Sequence, residues 1–237
     1  MSADLFVLGL TWLIVFLFST TLHEAAHAFA ALRLGDPTAY HGGQVSLNPW
    51  PHMRREPFGM VLFPILSFAL SGGKQMFGWA SAPYDPHWAA QHHRRAAIMS
   101  AAGPAANLLL ALLSGAAIRL GYMAHAFDAP DQITFSRVTE AAGSGGWAAA
   151  VAVPLSVFFT LNLLLFVFNL LPLPPLDGSA LPPLFLSDRA AEAYLEMLHQ
   201  PGLRMVGLLV AWKIFSPIFD PIHTFALGLL YPGITYS

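Results

Sequence analysis

Four long runs of apolar side chains dominate the chain, and the polar residues gather between them. The runs cover residues 5–34, 96–127, 147–171 and 203–230. Each exceeds the roughly 20 residues that cross a bilayer as a helix at about 1.5 Å rise per residue. The first three predict spanning helices. The second carries Gly103-Pro104 near its start. The third is closed by Pro172, Pro174 and Pro175, which cannot continue a helix. The fourth is interrupted by Pro217, Asp220 and Pro221 and predicts one broken span or two half-length pieces.

The connecting segments differ in character. Residues 58–71 are apolar but too few for a span and contain Pro64. Basic residues flank this run on both sides, which favours a re-entrant or surface-lying segment over a crossing. Gly43-Gln44-Val45-Ser46-Leu47 alternates as a short strand does. Residues 177–202 predict a loop and a short surface helix around Asp188 to His199. Gly143-Ser144-Gly145-Gly146 predicts a turn before the third long helix.

Composition agrees with this pattern. Of 237 residues, 56 % are hydrophobic and 10 % charged, against about 25 % charged in a soluble domain. That excludes an ordinary cytosolic enzyme and a disordered chain. With 11 Lys+Arg against 13 Asp+Glu, it also excludes a basic nucleic-acid binder. The fold class expected is an all-α integral membrane protein. It is a polytopic helical bundle with a small membrane-associated β-strand or loop element, surrounded by lipid, with residues 1–237 forming one domain. A signal peptide fits the first run poorly, because no positive charge precedes it and a polar cluster follows without a break. Arg33, Arg54, Arg55, Lys74, Arg94 and Arg95 all lie between the first two long helices. The positive-inside rule then puts residues 33–95 in the cytoplasm and the N-terminus outside.

The chemistry starts with His23-Glu24-Ala25-Ala26-His27, embedded in the first apolar run. Helical residues four apart share a face, so both imidazoles can reach one ion, while Glu24 lies on the adjacent ridge. This is the arrangement of a zinc hydrolase: two ligands, and a carboxylate free to take a proton from water. Chance supplies about 0.01 such matches in a chain of this composition, and polar groups inside a membrane helix are costly. The chain has no cysteine, so the third ligand that a catalytic zinc needs is a carboxylate or another histidine. Asp177 suits best, because it follows the proline-broken end of the third helix, on the same side as His23 and His27. Gly178 permits close backbone approach there. Asp220 is the main competitor.

The His23–His27 motif, Leu171-Pro172-Leu173-Pro174-Pro175-Leu176-Asp177-Gly178 and Ala102-Gly103-Pro104-Ala105-Ala106-Asn107 together resemble the site-2 protease family of intramembrane zinc metalloproteases. Residues 43–49 and Phe77-Gly78-Trp79-Ala80 look like stretches of its compact bacterial branch. The resemblance covers most of residues 18–180. It implies one Zn²⁺ per chain held by His23, His27 and Asp177, with Glu24 as general base and the metal nearer the cytoplasmic face. It implies transmembrane protein or peptide substrates, with Asn107 and, more weakly, Asn169 as candidate substrate contacts, and residence in a bacterial inner membrane. Apart from the resemblance, an unwound substrate needs partners for its freed backbone groups, and residues 43–47 have two readings of equal weight: a strand around Val45 that pairs with the substrate, or an ordinary loop turn. His52-Met53-Arg54-Arg55-Glu56-Pro57 departs from the branch's His-x-Asp-Pro stretch and leaves His52 without an assigned role. No PDZ-like or nucleotide-sensing module is expected in this length.

Other functions fit less well. A divalent-metal transporter predicts inverted repeats, which are absent, and gives Glu24 nothing to do. A haem protein needs axial ligands on opposite faces of the ring, which two histidines one helical turn apart cannot supply. A catalytically inactive scaffold of the same fold would have no use for an intact Glu24.

Overall fold

The computed structural model describes residues 3–143, 145–198, 200, 202–234 and 236. Four of its helices are long and apolar enough to cross a membrane: α1 (Ala3–Leu34), α6 (His93–Met123), α7 (Trp147–Asn169) and α9 (Leu203–Leu230). Short helices occupy the connections: α2 (Thr38–His41), α3 (Pro49–Arg55), α4 (Phe63–Leu70), α5 (Pro86–Gln91) and α8 (Asp188–Leu198). The expected all-α polytopic architecture is what the chain adopts. The expected surface helix is α8, while His199 lies outside the described residues, as does Ser144 of the glycine turn.

Helices α1, α6 and α7 pack on one another as the central layer, and α9 lies outside against α7 and α6. Two apolar cores dominate. One joins Trp12, Val15 and Phe16 of α1 to Val157 and Leu161 of α7. The other joins Ala111 and Ile118 of α6, Phe159, Leu163 and Val167 of α7, and Phe219, Leu227 and Leu230 of α9. Helix α9 is continuous through Pro217 and Pro221, so of the two expected forms it is one span rather than two pieces. Phe215, Phe219 and His223 recur every four residues and stack at 5.1 and 5.3 Å between centroids. Phe168 of α7 meets Phe215 edge-on. This packed stripe holds the helix where the prolines remove its N–H donors.

Residues 58–70 form a π turn (Phe58–Leu62) running into α4. The segment is about 20 Å long at helical rise, short of the about 30 Å hydrocarbon. The chain then doubles back: Ser67 Oγ accepts from Phe77 N–H, and Trp79 N–H donates to Gly59 O. Ser81 Oγ donates to Glu56. The two ends of residues 56–81 therefore lie together, the geometry of a hairpin rather than of a crossing.

The strand expected over residues 43–47 does not form. Residues 42–43 turn, with Gly43 at φ +73°, and residues 45–47 are bends. Local bonds compete with pairing. Gln44 N–H donates to Ala39 O, Asn48 N–H to Ser46 Oγ, and the His52 Nε2–H to Ser46 O. His52, 1 % exposed, is thus a buried brace for this loop. The only sheet among the described residues is a two-stranded antiparallel pair, β1 (Phe127–Asp128) and β2 (Glu140–Ala141), at the other end of the bundle. Its loop is tied down by Ser156 of α7, whose Oγ accepts from the N–H groups of Val138 and Thr139. Tyr231 Oη donates to Val138 O.

Candidate metal centre

His23 and His27 stand one turn apart on α1, facing α6 and the end of α7. Both are buried. After Asn169 the chain leaves α7, turns through the proline-rich stretch and re-enters as a 3-10 turn, Asp177–Ala180. A Cβ on Gly178 would lie 2.3 Å from Leu170 O and 2.5 Å from Leu171 O. Only glycine lets the loop fold this tightly onto the end of its own helix. The fold-back delivers Asp177 to the histidines, and Leu171 and Leu176 seal the loop against Ala211 of α9.

The three donor atoms form a compact triangle. His27 Nε2 is 3.0 Å from His23 Nε2, and Asp177 Oδ2 is 3.2 Å from His23 Nε2 and 3.3 Å from His27 Nε2. Donors about 2.0–2.1 Å from one tetrahedral ion sit about 3.3 Å apart, so the triangle has the right size. Among the described residues, this is the only set of three or more His, Asp or Glu side chains close enough to share an ion. Asp220, the competing carboxylate, is not in it.

Proton placement makes the same point. His27 Nδ1 lies 2.8 Å from Met99 O. A carbonyl only accepts, so Nδ1 carries hydrogen and Nε2 offers a lone pair. His23 Nδ1 lies 2.5 Å from Asn107 Oδ1. Asp177 Oδ2 is buried and has no hydrogen-bond donor. Three atoms able to offer lone pairs therefore converge, an arrangement that a cation satisfies. Helix α6 leaves room for it. At Gly103, a Cβ would lie 2.2 Å from His27 Nε2 and 2.5 Å from His23 Nε2.

Glu24 is 6 % exposed and does not belong to the ligand set. Asn107 is fully buried, and its Nδ2 donates to Asn162 Oδ1 at 2.8 Å. Both ends of its amide are engaged within the protein. Asn169 ends α7 with its Nδ2 donating to Leu165 O. Val45 lines an apolar groove of about 360 Å³ with Leu22, Ala25, Ala26 and Phe29. These α1 residues lie on a different ridge from the two histidines. Sequence reasoning passed over Asn162, although a lone amide in the middle of a 23-residue apolar helix is itself a signal.

Comparison with known proteins agrees with the geometry. The sequence profile of Peptidase family M50 matches residues 11–210. The chain is 31 % identical over 232 residues to "Putative zinc metalloprotease YwhC" of Bacillus subtilis, covering 88 % of this chain and 92 % of the relative. It is 34 % identical over 210 residues to "Putative zinc metalloprotease Rip2" of Mycolicibacterium smegmatis, covering 88 % of this chain and 70 % of that one. No solved structure matches. With the profile spanning most of the chain and a relative aligned almost end to end, this protein belongs to peptidase family M50, the site-2 protease family.

Proposed function

We propose that this chain is a zinc-dependent intramembrane endopeptidase that cuts peptide bonds within or near transmembrane segments of other proteins, as one domain over residues 1–237. The observation that carries the reading is the triangle of His23 Nε2, His27 Nε2 and Asp177 Oδ2, 3.0 to 3.3 Å on a side, with both histidines on a helix long enough to span a bilayer and Asp177 on the turn that follows another. These three residues would hold one Zn²⁺.

Zinc bound there supplies Lewis acidity, lowering the pKa of a water to about 7 and polarising a scissile carbonyl. The rest of the chemistry belongs to the side chains. Glu24, outside the ligand set, takes a proton from the attacking water and passes it to the departing amide nitrogen. The Met99 carbonyl and the Asn107 amide hold the two imidazoles against rotation. Burial of the site among α1, α6 and the α7 fold-back keeps bulk water away from the reacting groups.

A helical substrate hides its carbonyls in its own hydrogen bonds and must unwind to be cut. Asn169, at the end of α7 beside the Asp177 loop, is a contact for the freed backbone. The groove lined by Val45 receives apolar side chains. We place the site nearer the cytoplasmic face of a bacterial inner membrane, with the N-terminus outside, because the basic residues cluster on the loops that join α1 to α6.

Purified protein assayed for zinc, and then for cleavage of a transmembrane substrate peptide, tests this. The reading requires about one zinc per chain, kept by Glu24→Gln while cleavage falls below detection. A wild-type protein without zinc, or a Glu24→Gln protein that still cleaves, overturns it.

A further inference from the structure

We infer that Asn162 of α7 is a positioning residue for the metal centre: acting through Asn107, it sets which ring nitrogen of His23 carries hydrogen. His23 differs from His27 in one respect. The Nδ1 of His27 faces a main-chain carbonyl, which has only one role. The Nδ1 of His23 faces a side-chain amide, which could present either its oxygen or its NH₂. With oxygen presented, Nδ1 bears the hydrogen and Nε2 is a lone pair ready to ligate. With NH₂ presented, Nδ1 must accept, the hydrogen moves to Nε2, and the ligating atom is blocked.

The choice is made two residues away. Asn162 Nδ2 lies 2.9 Å from Phe158 O, a main-chain carbonyl, and 2.9 Å from Ser19 Oγ. Reversing Asn162 would put two carbonyl oxygens face to face, so its NH₂ stays on that side and its Oδ1 faces α6. Asn107 must then donate Nδ2 to that oxygen, which turns the Asn107 oxygen toward His23. Both amides are 0 % exposed, so bulk water does not compete for either bond. The orientation runs from one fixed carbonyl on α7, through an amide on α6, to a ligand on α1. It joins the three central helices and ends on the metal's own donor atom.

The test uses the full-length protein, stripped of metal in detergent and labelled with ¹⁵N-histidine, its His23 resonances assigned by their loss in His23→Gln. Long-range ¹H–¹⁵N spectra distinguish the two tautomers directly. The wild-type protein should show hydrogen on Nδ1 of both His23 and His27. In Asn162→Leu, His23 should shift toward the Nε2–H form while His27, held by Met99, does not change. Zinc affinity by chelator competition should weaken by about 10- to 100-fold. Ser19→Ala leaves the Phe158 contact in place and should keep the wild-type tautomer, whereas general loosening of the helix packing would disturb His23 and His27 alike. Should Asn162→Leu fail to fold, Asn162→Ala carries the same expectation. The inference is overturned if wild-type His23 carries hydrogen on Nε2. It is equally overturned if a folded Asn162 variant keeps the wild-type tautomer of His23, whatever its zinc affinity. The affinity arm rests on the zinc reading, but the tautomer arm does not. A chain that never binds zinc would sink that reading and leave the relay to be decided by the spectra.

Discussion

Replacing Gly103 by alanine exchanges one hydrogen for a methyl group, and the structure says where its carbon goes. It would sit 2.2 Å from His27 Nε2, 2.5 Å from His23 Nε2 and 2.7 Å from His23 Cδ2, where non-bonded heavy atoms settle at about 3.5–4.0 Å. Even to reach a tolerable 3.0 Å, the His27 ring must retreat by about 0.8 Å. Neither ring is free to do so, because each is bonded at Nδ1 and mounted on a rigid helix. Metal–ligand distances tolerate about 0.2 Å. Zinc affinity should therefore fall at least about 100-fold, or about 2.7 kcal/mol. The effect on stability has a diagnostic sign. In an ordinary helix interior Gly→Ala is favourable by about 1 kcal/mol, whereas overpacking costs about 1–3 kcal/mol, so the metal-free variant should be no more stable than wild type. Gly143→Ala, where an added Cβ meets nothing within 4 Å, is the control. The assay is zinc competition against a chelator, with thermal unfolding in parallel. A Gly103→Ala protein that binds zinc as tightly as wild type and melts higher would refute the reasoning.

Further outcomes follow from other contacts. Asp177→Asn keeps the shape of the third donor and removes its charge, so the variant should fold and lose zinc affinity by more than tenfold in the same competition assay. Ser156→Ala strips the N–H groups of Val138 and Thr139 of their buried acceptor. It should cost about 1–3 kcal/mol, with hydrogen exchange accelerating at residues 138 and 139 and not at the metal centre. Asp36, between α1 and α2, binds the N–H and hydroxyl of Thr38 and the N–H of Asp85. Burial pushes its carboxyl up, but these donors outweigh burial and hold it below the usual carboxylate range. Its contribution is then complete above about pH 4 and lost as the pH falls through its lowered folded-state value. Asp36→Asn should lower Tm at pH 7, with the difference shrinking on acidification below pH 4. A difference that grows there would contradict the assignment.

What could be read from the sequence, and what could not, divides on physical grounds. The long helices were legible because each apolar run exceeds the bilayer thickness, and the histidine pair because helical spacing alone puts both rings on one face. Asp177 was reached through its prolines, although the reason its loop closes, Gly178 against the carbonyls of Leu170 and Leu171, is a tertiary contact. The 43–47 segment alternates like a strand, but alternation does not supply a partner, and side-chain bonds from Ser46 and His52 took its backbone first. Pro217 and Pro221 advertised a break that the aromatic stripe of α9 overrode. Asn162 carries no motif. Its meaning appears only when α7 lies beside Asn107 and Ser19, which are 55 and 143 residues away in sequence.

The central claim is that one ion is shared by two α1 imidazoles and the Asp177 carboxylate. Anomalous diffraction from crystals of the wild-type protein, recorded on both sides of the zinc absorption edge, locates zinc without reference to any function. A single peak within about 2.0–2.2 Å of His23 Nε2, His27 Nε2 and Asp177 Oδ2 is the result expected. A zinc peak elsewhere, or a zinc-replete crystal with no peak among these three atoms, would contradict the account.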